Sequence, residues 1–412
     1  MDLADRLRQR RRSPAARFEP GSAASSEASC ASVNPTSAVD LSALNPPEGW
    51  EHTEDLLWER RVYIPYPQGE AAPASSSDSA LPGPISLTAG AFRSPVRDMM
   101  FFDIETTGLS SGAGTTVLLA GAARLQPRGL MLQQWFAVDF PGEVWVLQRL
   151  SEALSEAKVL VSYNGKSFDW PVVQSKALMS GILLPELLHL DLLHPVRGLF
   201  RRRLPDCSLT TIEQQVLGIV REEDIPGSEV PLRYSDFTRT GLIAPLSPVF
   251  AHHLRDIQTL VDLLCFLRHL SGRPEAAAQT VQFDPVGLAR LRRLAGKPYL
   301  EMLQTGFLSL LGGADAMPPA VRALDVFRTG RLLVQQAKRM GESDTALEYL
   351  LQMQSVLGIE HEWTAVELAK LYEHRYQDVH KALAVLEPLP GGAQLDHRRR
   401  RLYARIRRYT SA

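Results

Sequence analysis

MMFFDIETTGLSSG, residues 99–112, opens with an unbroken apolar run and then sets two acids one residue apart, Asp103 and Glu105. The apolar residues fall on both faces of an extended chain, as in a central strand covered above and below. Side chains at i and i+2 of a strand share a face, so the two carboxylates project together at its C-terminal end, where TTGLSSG turns away. Bare carboxylates so placed repel and raise each other's pKa, and a hard divalent cation with oxygen ligands removes that difficulty. The plainer alternative is an exposed edge strand with an acid in solvent, and the apolar residues on both faces argue against it.

Outward from this strand, the pattern from about residue 98 is that of an α/β domain. MMFFDIE, VLLAGAARL (117–125) and MLQQWFAVDF (131–140) are three strands whose short Gly- or Pro-containing turns make them antiparallel neighbours. Residues 143–157 have apolar positions at helical spacing, and VLVSYN (159–164) is a fourth strand. WPVVQSKALMSG (170–181) is a helix ending at Gly, LLHLDLLH (187–194) a fifth strand, and a long helix from Ser247 to about Leu270 closes the domain.

The flanking regions differ in composition. Residues 1–48 are rich in Ser, Ala and Pro after a basic start and are expected to lack structure. Residues 49–97 form a partly ordered lead-in and linker, with a short strand in GWEHTEDLLWERRVYIPYP (49–67) and a loose stretch at 69–84. After the α/β domain at 98–272, residues 273–412 lose the strand signal and form an all-α region. Two helical pairs repeat there at about 35 residues, near the tetratricopeptide period. Small or apolar residues recur at Val334, Ala337 and Ala346, then at Ala369, Tyr372 and Ala382. The chain ends in the basic helix DHRRRRLYARIRRY, whose arginines 398–401 read as a solvated helix end.

Over 412 residues, 45 basic and 46 acidic side chains give a net charge of −1, so any contact with a polyanion must come from local patches. Three separated cysteines, Cys30, Cys207 and Cys265, exclude a disulfide framework and a Cys-based zinc site. No apolar h-region follows the basic start and no run approaches a membrane span, so the expectation is a cytoplasmic protein with no membrane partner.

Two further segments carry chemistry. In YNGKSFDWP (163–171), Asp169 begins a helix after a strand and, taken alone, is an ordinary helix cap. In SPVFAHHLRDIQTLVDLL (247–264), His252 and Asp256 are four apart and share a helix face, which alone reads as a paired helix histidine.

In their order DIETTGL, NGKSFD and HHLRD, these segments resemble the DEDD superfamily of 3′–5′ exonucleases. More closely, residues from about 98 to 270 are similar to the YprB-type ribonuclease H-like domain, with HLDLLHPVRGLFR (189–201), CSLTTIEQQVLG (207–218) and DIPG (224–227) adding to the match. The resemblance, which spans about three quarters of the chain if the helical tail is included, implies a ribonuclease H-like fold: a mixed five-stranded sheet flanked by helices, its first three strands antiparallel. It implies that Asp103, Glu105, Asp169 and Asp256 hold two Mg²⁺ or Mn²⁺ ions that assist in-line hydrolysis of phosphodiester bonds. The conventional pattern has His five residues before the last Asp or Tyr four before it. This chain has Ala251 at the first position and His252 at the second, so His252 is expected to orient or deprotonate the water, with His253 beside it.

Around these acids, Thr106, Thr107 and Gly108 either hold the terminal nucleotide or simply form the turn. Asn164 and Lys166 are placed to contact phosphate, with Phe168 packing beneath. His189, Asp191 and His194 read as structural, and GAG (112–114), leading into a strand, as a hairpin rather than a phosphate loop. Arg197, Arg201, Arg202 and Arg203 are either a phosphate track or a solvated helix face. The expected function is a metal-dependent 3′–5′ exonuclease on single-stranded DNA or RNA. The alternative is a nucleic-acid-binding or scaffold protein without turnover, whose helical tail holds a protein partner.

Overall fold

The computed structural model describes residues 40–65, 87–108, 114–221, 224–273, 283–313 and 318–410. The chain divides into two compact units, Met1–Phe283 with Leu291–Lys297, and Asp284–Arg290 with Pro298–Ala412.

The first unit is built on one mixed sheet of β1 (Glu51–Glu54), β2 (Leu57–Pro65), β3 (Met99–Thr106), β4 (Val117–Gln126), β5 (Gly129–Ala137), β6 (Val159–Ser162) and β7 (Leu188–Asp191). Their order is β1-β2-β5-β4-β3-β6-β7. The expected meander β3–β4–β5 is antiparallel, and β6 and β7 then add in parallel beyond β3. The sheet therefore has seven strands, not five. The extra two come from residues 51–65, where a hairpin forms and β2 pairs with β5 along its whole length.

Helices cover both faces: α1 (Leu87–Arg93), α2 (Glu143–Leu154), α3 (Asp169–Met179), α4 (Leu193–Phe200), α5 (Leu209–Ile212), α6 (Val230–Thr240) and α7 (Ser247–Gly272). The alternation of β3 sorts its side chains. Met100, Phe102 and Ile104 pack with Val146, Leu147 and Leu150 of α2, and Trp170 of α3 meets Phe102 edge-on at 6.0 Å. Asp103 and Glu105 alternate with these residues, and α7 packs against β3 and β4. A second core gathers Trp50, Trp58, Phe136, Tyr234, Phe237 and Phe250. Leu41, in a 3₁₀ turn at Leu41–Ala43, is buried in it, so residues 40–48 are structured where none was expected. The rest of that expectation, the loose stretch at 69–84 and most of GAG lie outside the described residues.

The second unit is helical, with α8 (Leu300–Gly312), α9 (Pro319–Met340), α10 (Ser343–Leu357), α11 (Glu362–His374), α12 (Val379–Ala384) and α13 (Ala393–Thr410). Val334, Ala337, Ala346, Ala369 and Ala382 are buried, and Tyr372 is half-buried. The tail arginines are only in part a solvated helix end: Arg400 and Arg401 are exposed, Arg398 and Arg399 half-buried. Arg398, Arg401 and Arg405 converge on the buried carboxylate of Glu373, and Arg399 donates to the carbonyls of Leu386 and Leu389.

Gly121, paired with Asp103 across the β3–β4 ladder, lies directly against α7. A Cβ there would lie 2.4 Å from Ile257 Cδ1 and 2.5 Å from His253 Cε1. Gly121→Ala is expected to lower stability by about 1–3 kcal/mol through overpacking, read as a lower denaturant midpoint at unchanged slope. A midpoint at the wild-type value would contradict this close packing.

Candidate active site

Three chain segments meet at the C-terminal end of β3. The strand supplies Asp103 and Glu105 on one face. The loop after β6 supplies Asp169 in the first turn of α3, and there it makes no capping bond: the residue before the helix is Phe168, and no side chain caps the end. This loop is shaped by Asp191 on β7, whose carboxylate accepts from the amides of Asn164 (2.8 Å), Lys166 (3.2 Å) and Leu193 (3.0 Å). Asn164 takes a left-handed φ of 63°, and a Cβ at Gly165 would lie 2.9 Å from Asp169 Oδ2. The structural role expected for Asp191 is thus the one it has.

Helix α7 supplies the third group. His253 is fully buried, with Nε2 3.1 Å from the carbonyl oxygen of Asp103 and Nδ1 2.9 Å from Gln134 Nε2. A carbonyl only accepts, so Nε2 carries the proton and Nδ1 accepts from Gln134. Burial, the largest influence, lowers its pKa to about 4, so the ring is a neutral fastener between helix and strand. His252, one residue earlier, faces the acids: its Nε2 lies 3.5 Å from Asp256 Oδ2 and 3.9 Å from Glu105 Oε1.

One group was not singled out by the sequence reading. Arg221, its side chain only 2% exposed, is held by the fully buried Glu213 through Nε and Nη2. Thr259 of α7 donates to the same Glu213. The guanidinium also donates to Asp256 Oδ1, and its Nη1 lies 3.1 Å from Asp224 Oδ2. Asp224 Oδ1 is 2.7 Å from His252 Nδ1. Asp224 is the first residue of DIPG and Arg221 lies three residues before it, and only that motif hinted at a role.

The electrostatics reflect acids crowded together and partly withdrawn from water. Burial raises Asp103 well above the ordinary carboxylate range, and Asp169, Asp256 and Glu105 add repulsion. Burial, then Asp256 and Asp169, lifts Glu105 to about 8. Burial, then Asp191, lifts Asp169 to about 7. Asp256 is raised by burial, against which His252 and Arg221 pull downward. Burial alone would lower Arg221, but the bonds to Glu213 and the charge of Asp256 push it further into the protonated range. Among the described residues no three or more His, Cys, Asp or Glu side chains are drawn together tightly enough to hold an ion as they stand. The carboxylates repel one another, and Arg221 occupies one oxygen of Asp256. The chemistry of the donor set still suits a hard divalent cation: it consists of half-buried carboxylates, each with its pKa raised.

The remaining candidates divide. The Thr106 hydroxyl donates to Gly108 O at 2.7 Å, and the Thr107 hydroxyl accepts from Thr116 N at 2.9 Å. Asn164 is half-buried and Lys166 exposed beside the site. Phe168 does not pack beneath them; it is 52% exposed, because the sharp entry into α3 turns its ring outward. His189 bonds Ser162 Oγ at 2.8 Å, and His194 is exposed. Arg197 is exposed on α4, with Arg201–Arg203 just beyond its end.

A mixed sheet with three antiparallel strands followed by two parallel ones, and an acid pair on its central strand facing a long helix, defines a ribonuclease H-like protein. Residues 100–267 match the family model described as RNase_H superfamily. The chain is also similar to the uncharacterized protein YprB of Bacillus subtilis (strain 168), 32% identical over 296 residues that cover 70% of this chain and 68% of that one. The chain belongs to the RNase H superfamily and, within it, to the YprB-type proteins. That membership implies nuclease-like chemistry on nucleic acid. Among the described residues no helix is long and apolar enough to cross a membrane.

The raised pKa values fix the sign of a pH effect. Above about pH 4.5 the unfolded chain has lost protons that folded Glu105 and Asp169 still hold, up to about 8 and about 7. Without a divalent ion, the protein is therefore expected to lose stability as pH rises across this window. Asp103→Asn removes one repelling charge and is expected to stabilise the metal-free protein by about 1–2 kcal/mol at pH near 8. Thermal melts in EDTA check this; a lower melting temperature for the variant would contradict it.

Proposed function

We propose that this chain is a metal-dependent nuclease that removes nucleotides from the 3′ end of single-stranded DNA or RNA. The observation that carries the reading is the gathering of four half-buried carboxylates from three separate segments, each with its pKa raised. A fold that only bound a partner would gain nothing from crowding these groups together and partly out of water.

Asp103, Glu105, Asp169 and Asp256 would hold two Mg²⁺ or Mn²⁺ ions, which supply charge for the attacking and leaving oxygens of an in-line displacement. His252 faces the cluster through Nε2 and accepts the proton of the attacking water. The water oxygen bonds to phosphorus as the bond to the 3′ oxygen of the preceding nucleotide breaks, and that oxygen takes a proton from solvent. The exposed ring of Phe168 offers a face on which the terminal base stacks, and Lys166 beside it offers a cation for phosphate. Asn164 acts through the backbone, as the left-handed residue of the loop.

A second reading, a nucleic-acid-binding or scaffold protein without turnover, draws support from Arg221, which already neutralises Asp256. Labelled single-stranded DNA and RNA, each free or blocked at its 3′ end, separate the two. Shortening from a free 3′ end with Mg²⁺ or Mn²⁺, its loss in EDTA, and a fall of about 10³-fold in Asp103→Asn and in Glu105→Gln are expected for the nuclease. Tight binding without shortening under either ion would leave the second reading standing, and cleavage of 3′-blocked strands would overturn the 3′-end assignment.

A further inference from the structure

We propose that Asp224 is a positioning residue for His252, holding the ring as its Nδ1–H tautomer so that the Nε2 lone pair faces the acids, and that Arg221 locks this arrangement. The catalytic consequence rests on the nuclease reading above; the tautomer itself does not.

Donors and acceptors around His252 decide the tautomer. Asp224 Oδ1 lies 2.7 Å from His252 Nδ1, a distance two lone pairs do not share, so a proton lies between them. Arg221 Nη1 is 3.1 Å from both Nδ1 and Asp224 Oδ2. A guanidinium only donates, and with Nδ1 already protonated its hydrogen goes to the carboxylate. Were Nδ1 instead the acceptor from Arg221, its lone pair would still point at a bare carboxylate oxygen, which is repulsive. Nε2 is then the basic nitrogen, and it is the one turned to Asp256 and Glu105.

Arg221 makes the arrangement rigid. Two bonds to the buried Glu213 fix its plane, as expected of a fork-shaped donor on a carboxylate. Its remaining hydrogens hold Asp224 on one side and Asp256 on the other. One guanidinium thus sets the spacing between the group that orients the histidine and an acid of the cluster. Neither Arg221 nor Asp224 needs to touch substrate for this.

Asp224 lies at the rim, with its side chain 23% exposed, so its variants are expected to fold where loss of Arg221 would strand buried Glu213. Selective ¹⁵N labelling of histidine in the full chain, with His252→Gln assigning the signal, reads the tautomer at about pH 8.5, where an ordinary imidazole is neutral. The expected result is Nδ1–H in the wild type and a shift to Nε2–H in Asp224→Ala, whose nearest remaining acceptor for the ring is Asp256. In the nuclease assay, Asp224→Ala is expected to lower kcat by about 10²-fold or more with KM within about twofold, and Asp224→Glu to restore part of the loss. A wild-type ring in the Nε2–H form, or an Asp224→Ala ring that stays Nδ1–H, overturns the proposal, as does a variant with wild-type kcat. A wild type that hydrolyses no nucleic acid overturns the nuclease reading instead, and the tautomer measurement still decides the positioning.

Discussion

A helix lies against a sheet more closely than side chains normally allow only where one partner lacks a Cβ, and Gly121 provides that place for α7. The distance it sets brings the ring of His253 to the Asp103 carbonyl on one side and to Gln134 on the other. With that fastener made, the preceding residue of the helix, His252, and Asp256, a turn beyond it, arrive beside the acids of β3. Substitution of Gly121 would therefore disturb chemistry as well as packing, because it would shift the helix that carries His252 and Asp256.

The acid cluster stores unfavourable energy in the folded state: desolvation is the largest influence on each of its four members, and for Asp103 and Glu105 repulsion from the other acids follows. The surrounding structure holds them there by means that do not neutralise them all. Asp191 shapes the loop carrying Asp169 through backbone amides, and Gly165 lets that loop pass close to the carboxylate. Arg221 reaches only Asp256. The imbalance, three acids without a full cation beside them among the described residues and one with it, leaves room for cations from outside the chain.

Much of the first unit was legible before any coordinates. The apolar run of β3, the short turns to β4 and β5, and the switch to a helical crossover before β6 each follow from local rules of turn length and alternation, and they placed Asp103 and Glu105 on a central strand. What escaped is long-range. Residues 51–65 read as one strand because their charges disguised a hairpin whose buried members are few, Leu57, Trp58 and Glu59. The division of labour between His252 and His253 follows from which one meets Gly121, and nothing in a pair of adjacent histidines announces it. Arg221 is separated from Asp256 by 35 residues of mixed structure, so no spacing rule links them. The arginines of α13 misled in the opposite direction: a basic helix looks solvated until the buried Glu373 that gathers it is seen.

The N-terminal hairpin has a further consequence. Strand β5, nine residues long and mostly apolar, would be the outer margin of the sheet if the chain began near residue 98, where the α/β pattern starts. β2 runs along all of it, from Leu57 opposite Ala137 to Pro65 opposite Gly129, and covers its open amides and carbonyls. The new margin is β1, four residues, short and largely exposed with two glutamates and a histidine. A long sticky edge is thereby exchanged for a brief charged one, the arrangement that keeps a sheet from recruiting strands of its neighbours. A chain trimmed to the obvious domain would keep every acid of the site and lose its protection against self-association.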